Sequence, residues 1–333
     1  MRESRHIRLW HPIAVTGLLL AAMAAPGCGD DENPNATSGG NGGTVELTPA
    51  ANGTEFSRPF DATPDPSAST IYFTGLDANG EPGIFKVAAD GSGSSSPLMV
   101  GEPLVAPLNI ATSTDGRTLY ITDTGAEDPT GDGGRIFSIA SDGGALSPIT
   151  AADAYKPRGL EIRQDGGKDV IYFAGTDPAG EPGVFTVAAD GSGAVSALAK
   201  GAPFQDPSGI AVTGDGTVYA CDTVQDDGLG GIISVTGGAA TTLLAGIRAG
   251  FPCGVALSAD EATLFVSSFD PVKQTDAVAV IDIAAKSVSY VTQGIDQFVE
   301  SAGLHRAKGD SNVFAWSDSK AQGTGTVFLV KIQ

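Results

Sequence analysis

Residues 71–93, IYFTGLDANGEPGIFKVAADGSG, recur 100 residues later as residues 171–193, IYFAGTDPAGEPGVFTVAADGSG. Of the 23 aligned positions 17 are identical, so the chain contains an internal duplication. Each copy contains, in this order, a run of aromatic and β-branched residues, a turn rich in Gly and Pro, and a second apolar run. This order is typical of two strands joined by a turn.

A shorter repeat divides the duplication in half. Runs anchored by aromatic residues begin near Ile71, Leu119, Ile171, Val218, Leu264 and Val313, at a mean step of about 48 residues. The step fits a four-stranded propeller blade and is too long for a leucine-rich repeat. The fourth unit shows all four strands as PSGIAVTGDG, TVYACDT, GGIISVTGG and ATTLLAG. The sequence therefore predicts an all-β, six-bladed propeller over residues 44–333.

The sixth unit lacks one strand. It supplies AGLHRA, NVFAWSD and GTVFLVKIQ, and the sequence then stops at Gln333. The segment 44–49, TVELTP, precedes the first unit and has no place in it. We therefore expect residues 44–49 to pair with residues 326–332 and complete the last blade, because closure removes an exposed sheet edge.

Charge and histidine content exclude several classes of function. The chain has 39 acidic and 19 basic residues, a formal net charge of −20. A surface this acidic repels phosphate backbones, so we expect no nucleic-acid partner. Of three histidines, His305 alone lies outside the N-terminal leader, which excludes a multi-His zinc site.

The first 27 residues are typical of an export signal. A basic start is followed by an apolar run from Ile13 to Ala25 that is too short to span a bilayer comfortably. Ala25-Pro26-Gly27 before Cys28 resemble the end of a bacterial lipoprotein signal peptide. The resemblance implies cleavage before Cys28 and attachment of lipid to its sulfur.

Residues 28–43 are predicted to be a flexible linker between Cys28 and the propeller. They are rich in Gly, Asn, Ser and Asp and would reach about 20 Å root-mean-square over about 15 residues. We expect an exported protein of the bacterial cell envelope, held on a membrane by its lipid. Gly29 differs from the Asp that some bacteria use for inner-membrane retention, which favours the outer membrane. A soluble secreted protein with a disordered tail is the alternative.

Several units start with a shared motif. Pro207-Ser208-Gly209-Ile210-Ala211-Val212, continued by Tyr219-Ala220-Cys221-Asp222, resembles the P-x-G-I-A-V and V-Y-V-A-D pattern of NHL-repeat propellers. Pro252-Cys253-Gly254-Val255 is a second copy, and residues 157–160 and 107–110 are looser ones. The resemblance covers about residues 44–333. It implies the fold and leaves the function open, because propellers host unrelated activities.

The gluconolactonase and regucalcin lactonases are similar in their P-x-G motifs. In that family an Asn at x, with Glu or Asp elsewhere, holds a divalent cation at the channel. Here the x positions are Leu108, Arg158, Ser208, Cys253 and Ala302, none of them Asn. Asn109 stands one place later, where other units have Gly. The mismatch argues against a lactonase, since hard cations need several converging oxygen ligands.

Five residues are candidate ligand-binding residues. Arg158, His305 and Arg306 are scarce basic groups that we expect near the end of the channel where the first strands begin. They would bind an anion, because guanidinium groups suit carboxylates and phosphates. Glu300 is a candidate general base, and Asn109 completes the set. The alternative is structural: a lone His is usually buried and hydrogen-bonded, and Arg158 can pair with one of many carboxylates.

Acidic loop residues offer an alternative calcium site. The loops 125–134 and 224–231 are rich in Asp and Gly, and strand-end aspartates lie near them; the candidate ligands are Asp123, Asp128, Asp132 and Asp222. Neither loop has the D-x-D-x-D-G spacing. We favour a structural role in which these side chains accept hydrogen bonds from loop amides. No cofactor is expected, and calcium is kept as an alternative.

Cys221 and Cys253 are the two thiols after Cys28. Export favours pairing, and both should lie on the same face of the ring, so we predict a disulfide.

The functional hypothesis is a non-catalytic propeller on a membrane tether that presents loops to a protein, glycan or small-molecule ligand. It rests on a complete scaffold in which no catalytic set of residues is recognisable. The alternative is a divergent metal-dependent lactonase or esterase that uses the channel.

Overall fold

The strands form six antiparallel four-stranded sheets in the computed structural model, which describes residues 45–131, 133–225, 229–292, 295, 300–309 and 312–332. The first strand, β1, is Val45–Asn52. Blade 1 contains β2 (Phe56–Pro64), β3 (Thr70–Asp77), β4 (Pro82–Ala88) and β5 (Ser96–Val100). Blade 2 contains β6 (Pro107–Thr112), β7 (Thr118–Glu127), β8 (Gly133–Ala140) and β9 (Ser147–Pro148).

Blade 3 contains β10 (Lys156–Asp165), β11 (Lys168–Thr176), β12 (Pro182–Ala188) and β13 (Ser196–Lys200). Blade 4 contains β14 (Pro207–Val212), β15 (Val218–Asp222), β16 (Gly230–Thr236) and β17 (Ala239–Ile247). Blade 5 contains β18 (Val255–Leu257), β19 (Thr263–Asp270), β20 (Thr275–Asp282) and β21 (Ser287–Val291). Blade 6 contains β22 (Ser301–Arg306), β23 (Val313–Asp318) and β24 (Thr326–Ile332), with β1 as its fourth strand. The predicted six-bladed propeller is confirmed.

The first strands of the blades line the channel. Each contacts the first strands of both neighbouring blades, so that β2, β6, β10, β14, β18 and β22 form a closed ring. We call the face where these strands begin the upper face and the face where they end the lower face. Second strands run back, so the turns between second and third strands also lie on the upper face.

Apolar side chains fill the space between blades. Six buried clusters occur, one between each pair of neighbouring blades; the cluster between blades 6 and 1, for example, joins Phe73 and Phe85 to Val327. Inner strands are therefore covered on both faces, which explains continuous apolar runs such as VAVIDI (278–283).

The glycine of the P-x-G motif permits close approach of neighbouring first strands. A Cβ at Gly159 would lie 1.9 Å from the Ser208 carbonyl oxygen, and one at Gly209 would lie 1.8 Å from the Cys253 carbonyl oxygen. Any side chain there would overlap the backbone of the next blade, so the motif is a packing requirement of the ring.

Strand β1 closes the ring as expected. Its register with β24 runs from Val45 opposite Ile332 to Asn52 opposite Thr326, with a bulge between Pro49 and Ala51. The strand extends to Asn52, beyond the predicted end at residue 49. Ala50 and Ala51 are buried in the cluster between blades 6 and 1.

A disulfide joins blades 4 and 5. The sulfur atoms of Cys221 and Cys253 lie 2.14 Å apart, and both side chains are fully buried. Cys221 is in the second strand of blade 4, and Cys253 precedes the first strand of blade 5.

Helical structure is minor in the part of the chain that is described. Single 3-10 turns occur at Thr150–Ala152 and Ala321–Gly323. Within the described ranges no helix has the length and apolar character needed to cross a membrane. The export signal (1–27), Cys28 and the linker (28–43) lie outside the described residues.

Candidate functional site

A cavity of about 490 Å³ opens on the upper face at the mouth of the channel, and we call it the upper cavity. It is lined largely by apolar side chains: Phe60, Pro107, Leu108 and Pro157 of the first strands and Phe251 of the loop before β18, with Arg158 among them. Phe60, Leu108 and Arg158 are the x positions of blades 1, 2 and 3. In these three blades the motif thus places its variable residue on the cavity wall.

Arg158 is one of three charged residues on this wall, with Lys156 and Asp206. It forms an ion pair with Asp206 of the next blade, and its guanidinium lies 5.4 Å from the centre of the Phe251 ring. Phe251 is 58% exposed. The charge of Arg158 is therefore paired with Asp206, and its planar face packs against Phe251, in the absence of a ligand.

The x positions do not fit a hard divalent cation. They are Phe60, Leu108, Arg158, Ser208, Cys253 and Ala302 around the ring, and they offer one hydroxyl oxygen and no carboxylate. Cys253 is consumed by the disulfide. Calcium and similar ions need six or more oxygen ligands, so the lactonase type of metal site is not reproduced at this level.

One layer below the x positions, Asp61 and Asn109 replace the motif glycine in blades 1 and 2. Asp61 Oδ2 accepts the Ile110 amide at 2.8 Å, and Asn109 Oδ1 accepts the Leu160 amide at 2.9 Å. In each case the side chain takes up a backbone amide of the next first strand. Blades 1 and 2 are thus joined to their neighbours by side-chain hydrogen bonds, where the other blades use close backbone contact.

His305 lies at the centre of the channel. Its Nε2 donates to Asp61 Oδ2 at 2.9 Å and lies 3.2 Å from Asn109 Nδ2, while its Nδ1 lies 3.6 Å from Glu161 Oε2. Burial by itself would lower the pKa of His305. The charges of Asp61 and Glu161 outweigh burial and raise that pKa to about 10.

Glu161 faces His305 from blade 3, on the opposite side of the ring. Burial would raise the pKa of Glu161, but the ion pair with Lys308 and the contact with His305 hold the pKa far below its usual value. An imidazolium between two carboxylates therefore occupies the channel at neutral pH. His305 is 3% exposed, so this group has no access to a ligand in the upper cavity.

The lower end of the channel has a smaller cavity of about 210 Å³. Its charged lining residues are Glu161, Arg163, Arg306 and Lys308. Arg163 is paired with Glu261 at 3.3 Å, and Lys308 is paired with Glu161. The basic groups here serve largely to balance carboxylates.

The five predicted ligand-binding residues do not form one site. Arg158 is on the wall of the upper cavity, as expected. His305 and Arg306 were expected near the same mouth, and that expectation is wrong, because β22 runs from the upper to the lower face and both lie at its end. Asn109 contacts His305 in the interior. Glu300 lines a separate cavity on the upper face.

The strand-end aspartates bind loop amides. Asp123 accepts the amides of Val105, Ala106, Gly125 and Ala126, and Asp222 accepts those of Gln205, Asp206 and Val224. Asp128 accepts the amide of Thr130 at 2.7 Å and that of Ala154. Asp132 lies outside the described residues. In the described part of the chain no three His, Cys, Asp or Glu residues are placed to hold a metal ion together.

Sequence reasoning missed Asp61 and Glu161. Asp61 could have been found, because Pro59-Phe60-Asp61-Ala62 is the first unit's copy of P-x-G-I with Asp in place of Gly. Glu161 stands two places after Gly159, and His305 stands two places after Gly303. The four remaining blades have Thr63, Ala111, Ala211 and Ala256 at this position, so the two charged residues stand out once the units are aligned.

Comparison with known proteins supports the fold. Neither a protein-family model nor a curated protein matches the sequence. Among solved structures, a candidate gluconolactonase matches with a TM-score of 0.61 and 16% identity, over 87% of this chain and 92% of that chain. A gluconolactonase from Xanthomonas campestris gives 0.60 and 16%, over 87% and 90%.

An auxiliary nutrient binding protein from Bacteroides thetaiotaomicron is also similar. Its TM-score is 0.58 at 13% identity, over 86% of this chain and 76% of that chain. At these identities the likeness shows the fold alone. The expected resemblance to gluconolactonase-like six-bladed propellers is confirmed at that level.

Proposed function

We propose that this protein is a binding propeller of the bacterial cell envelope, tethered through lipid on Cys28, that takes a largely apolar small molecule in its upper cavity. The observation that carries the proposal is the composition of this cavity. Its wall presents Phe60 and Leu108 at two of the x positions, where the lactonase resemblance implies metal ligands, and Phe251 beside them. Ligand pockets are typically apolar with a few placed polar groups.

The charges of the cavity narrow the ligand class. Arg158 is neutralised by Asp206, so a ligand carboxylate that pairs with Arg158 would have to displace an existing ion pair. Lys156, the other basic residue of the wall, is exposed to solvent. A neutral molecule with an apolar body gains the burial energy of the aromatic wall without that loss. The Arg158–Asp206 pair then serves as a hydrogen-bonding edge that orients a polar substituent.

Calorimetry with indole as the probe tests this proposal. The full chain in lipid nanodiscs should bind indole in a 1:1 ratio, with empty nanodiscs as the blank. Leu108→Trp fills the cavity and should weaken binding by about tenfold or more. Leu243→Trp, on the outer strand β17, is the matched control and should bind as the parent does.

Equal binding by Leu108→Trp and the parent would overturn the proposal. The same preparations should be titrated with Ca²⁺, Mn²⁺ and Zn²⁺ and assayed for lactone hydrolysis. Stoichiometric binding of one of these metals together with lactone hydrolysis would favour the alternative, a metal-dependent lactonase or esterase, over the binding function.

A further inference from the structure

A third cavity, of about 500 Å³, lies beside the upper cavity on the upper face, where blades 5 and 6 meet the start of blade 1. We call it the side cavity. Its lining includes Arg58, Arg248, Phe251, Phe269, Asp276 and Glu300. Phe251 separates it from the upper cavity and contributes to both.

Two arginines of the side cavity lack ion pairs. In the described part of the chain no carboxylate oxygen lies within 4.0 Å of Arg58 or Arg248. This is unexpected in a chain with 39 acidic and 19 basic residues. Arg248 lies 5.5 Å above the Phe269 ring, which holds it against an apolar surface. Uncompensated guanidinium groups beside aromatic rings suit an anion with an apolar body.

The backbone of Arg58 is held in an unfavourable conformation. Its φ is 49°, in the left-handed region that L-residues rarely adopt, and its amide donates to the Thr324 carbonyl at 2.7 Å. Six other non-glycine residues of the described chain have a φ in this region, so the conformation matters here only for where it places the side chain. Here it fixes the start of the arginine side chain at the rim of the cavity.

The acidic residues of the side cavity do not neutralise Arg58 and Arg248. Burial would raise the pKa of Glu300, but Lys320, Ser319 and Arg58 lower it, so Glu300 is ionised and its charge is balanced by Lys320. Asp276 is 2% exposed, and its Oδ2 has no hydrogen-bond partner apart from the neighbouring Asp318 carboxyl.

Asp276 lies beside a second buried carboxyl, that of Asp318. Asp318 is fully buried and accepts the amides of Lys320 at 2.9 Å and Ala321 at 2.7 Å through Oδ1. Burial of Asp276, its hydrogen bond to Asp318 and the Asp318 charge raise the pKa of Asp276 to about 8. At neutral pH Asp276 is therefore largely protonated and adds little negative charge to the side cavity.

We propose that the side cavity is a second ligand site, which binds a small organic anion with an apolar body through Arg58, Arg248 and the rings of Phe251 and Phe269. This site is independent of the neutral-ligand function proposed for the upper cavity. The charged and titratable groups that face Asp276 are Asp318 on β23, Glu300 before β22, Arg58 on β2, Arg248 after β17, and Lys320. The negative charge that Asp276 gains when it ionises opposes an anion in the cavity.

Phenylacetate, an anion with a phenyl body, is the probe that tests the site. Calorimetry on the full chain in lipid nanodiscs at about pH 6.5 should give 1:1 binding, with the neutral amide and benzylamine at least about tenfold weaker. Arg58→Gln combined with Arg248→Gln should weaken phenylacetate binding by about tenfold or more. Arg117→Gln, an exposed arginine on the lower face, is the control and should leave binding unchanged.

A pH series separates this site from a general attraction to positive charge. The affinity of the parent should fall between about pH 6.5 and about pH 9.5, as Asp276 ionises. Asp276→Asn, which keeps the shape without the charge, should retain its affinity across that range. No binding at millimolar phenylacetate, preference for benzylamine, or unchanged affinity in the double arginine variant would each overturn the proposal. Loss of phenylacetate binding in Leu108→Trp would also overturn it, by placing the anion in the upper cavity.

Discussion

His305 is buried on the axis of the ring between Asp61 and Glu161, and Lys308 completes the ion network. Buried charges are tolerable when each has a partner, and removing one partner leaves the others desolvated and uncompensated. The network therefore fills the channel below the upper cavity, and none of its four residues is part of the lining of that cavity.

His305→Gln should destabilise the protein by about 3–5 kcal/mol, because two carboxylates lose their common cation. The pKa of folded His305 is raised, so its contribution is fully present below the unfolded pKa of about 6.5 and is lost as pH rises through about 10. Urea denaturation should show this decline in the parent and not in the variant. Arg117→Gln is the control, and a cost within about 0.5 kcal/mol for His305→Gln would contradict the prediction.

The sequence identifies candidate polar residues, but it does not predict which of them contact one another in the folded ring. Asn109, Glu300 and Arg158 are recognisable as scarce polar groups beside the P-x-G motifs. His305 and Asp61, however, are separated by 244 positions and meet only because the ring closes. The charge state of His305 depends on its contact with Asp61, so it could not be predicted from the residues near His305 in the sequence.

Strand β1 is the element whose place was most fully predicted. Counting four strands per unit left the sixth unit one short, and residues 44–49 were the unassigned segment. The extension to Asn52 was missed, because the bulge at Pro49 interrupts the alternation of buried and exposed residues. After the bulge, Ala50 and Ala51 contribute to the core between blades 6 and 1.

Deletion of residues 45–52 should lower the free energy of unfolding by several kcal/mol. It uncovers β24 and removes apolar contacts, each buried Val or Leu side chain being worth about 1.5–3 kcal/mol. The urea midpoint is the measurement. Deleting residues 36–43, a Gly-rich segment of equal length, is the matched control and should not change it. Equal midpoints for the two deletions would show that β1 does not stabilise blade 6.

At the scale of the whole molecule, the number of blades followed from the mean step of about 48 residues, whereas the cavities did not. The upper cavity takes its wall from blades 1 to 4 and from Phe251 of the loop before β18. Such walls form where loops distant in sequence approach one another. Repeats show that the loops lie on one face, but their side-chain geometry depends on the closed ring.

The proposed lipid tether is tested at the scale of the whole molecule. Cells fed an alkynyl palmitate should label the parent chain and not Cys28→Ser, because the acyl chain would be attached through that residue. The variant should move from the membrane to the soluble fraction, since buried acyl chains supply about 0.8 kcal/mol per methylene. Cys221→Ser combined with Cys253→Ser is the control and should remain labelled. An unlabelled parent would contradict the lipid anchor.

Val45 stands opposite Ile332, so the polypeptide enters and leaves the propeller side by side on the lower face. The upper cavity and the side cavity open on the opposite, upper face. An anchor, a fluorescent reporter or a solid support joined at either end would therefore leave the openings unobstructed. Immobilised protein should in consequence admit small molecules from the surrounding solution as freely as dissolved protein does.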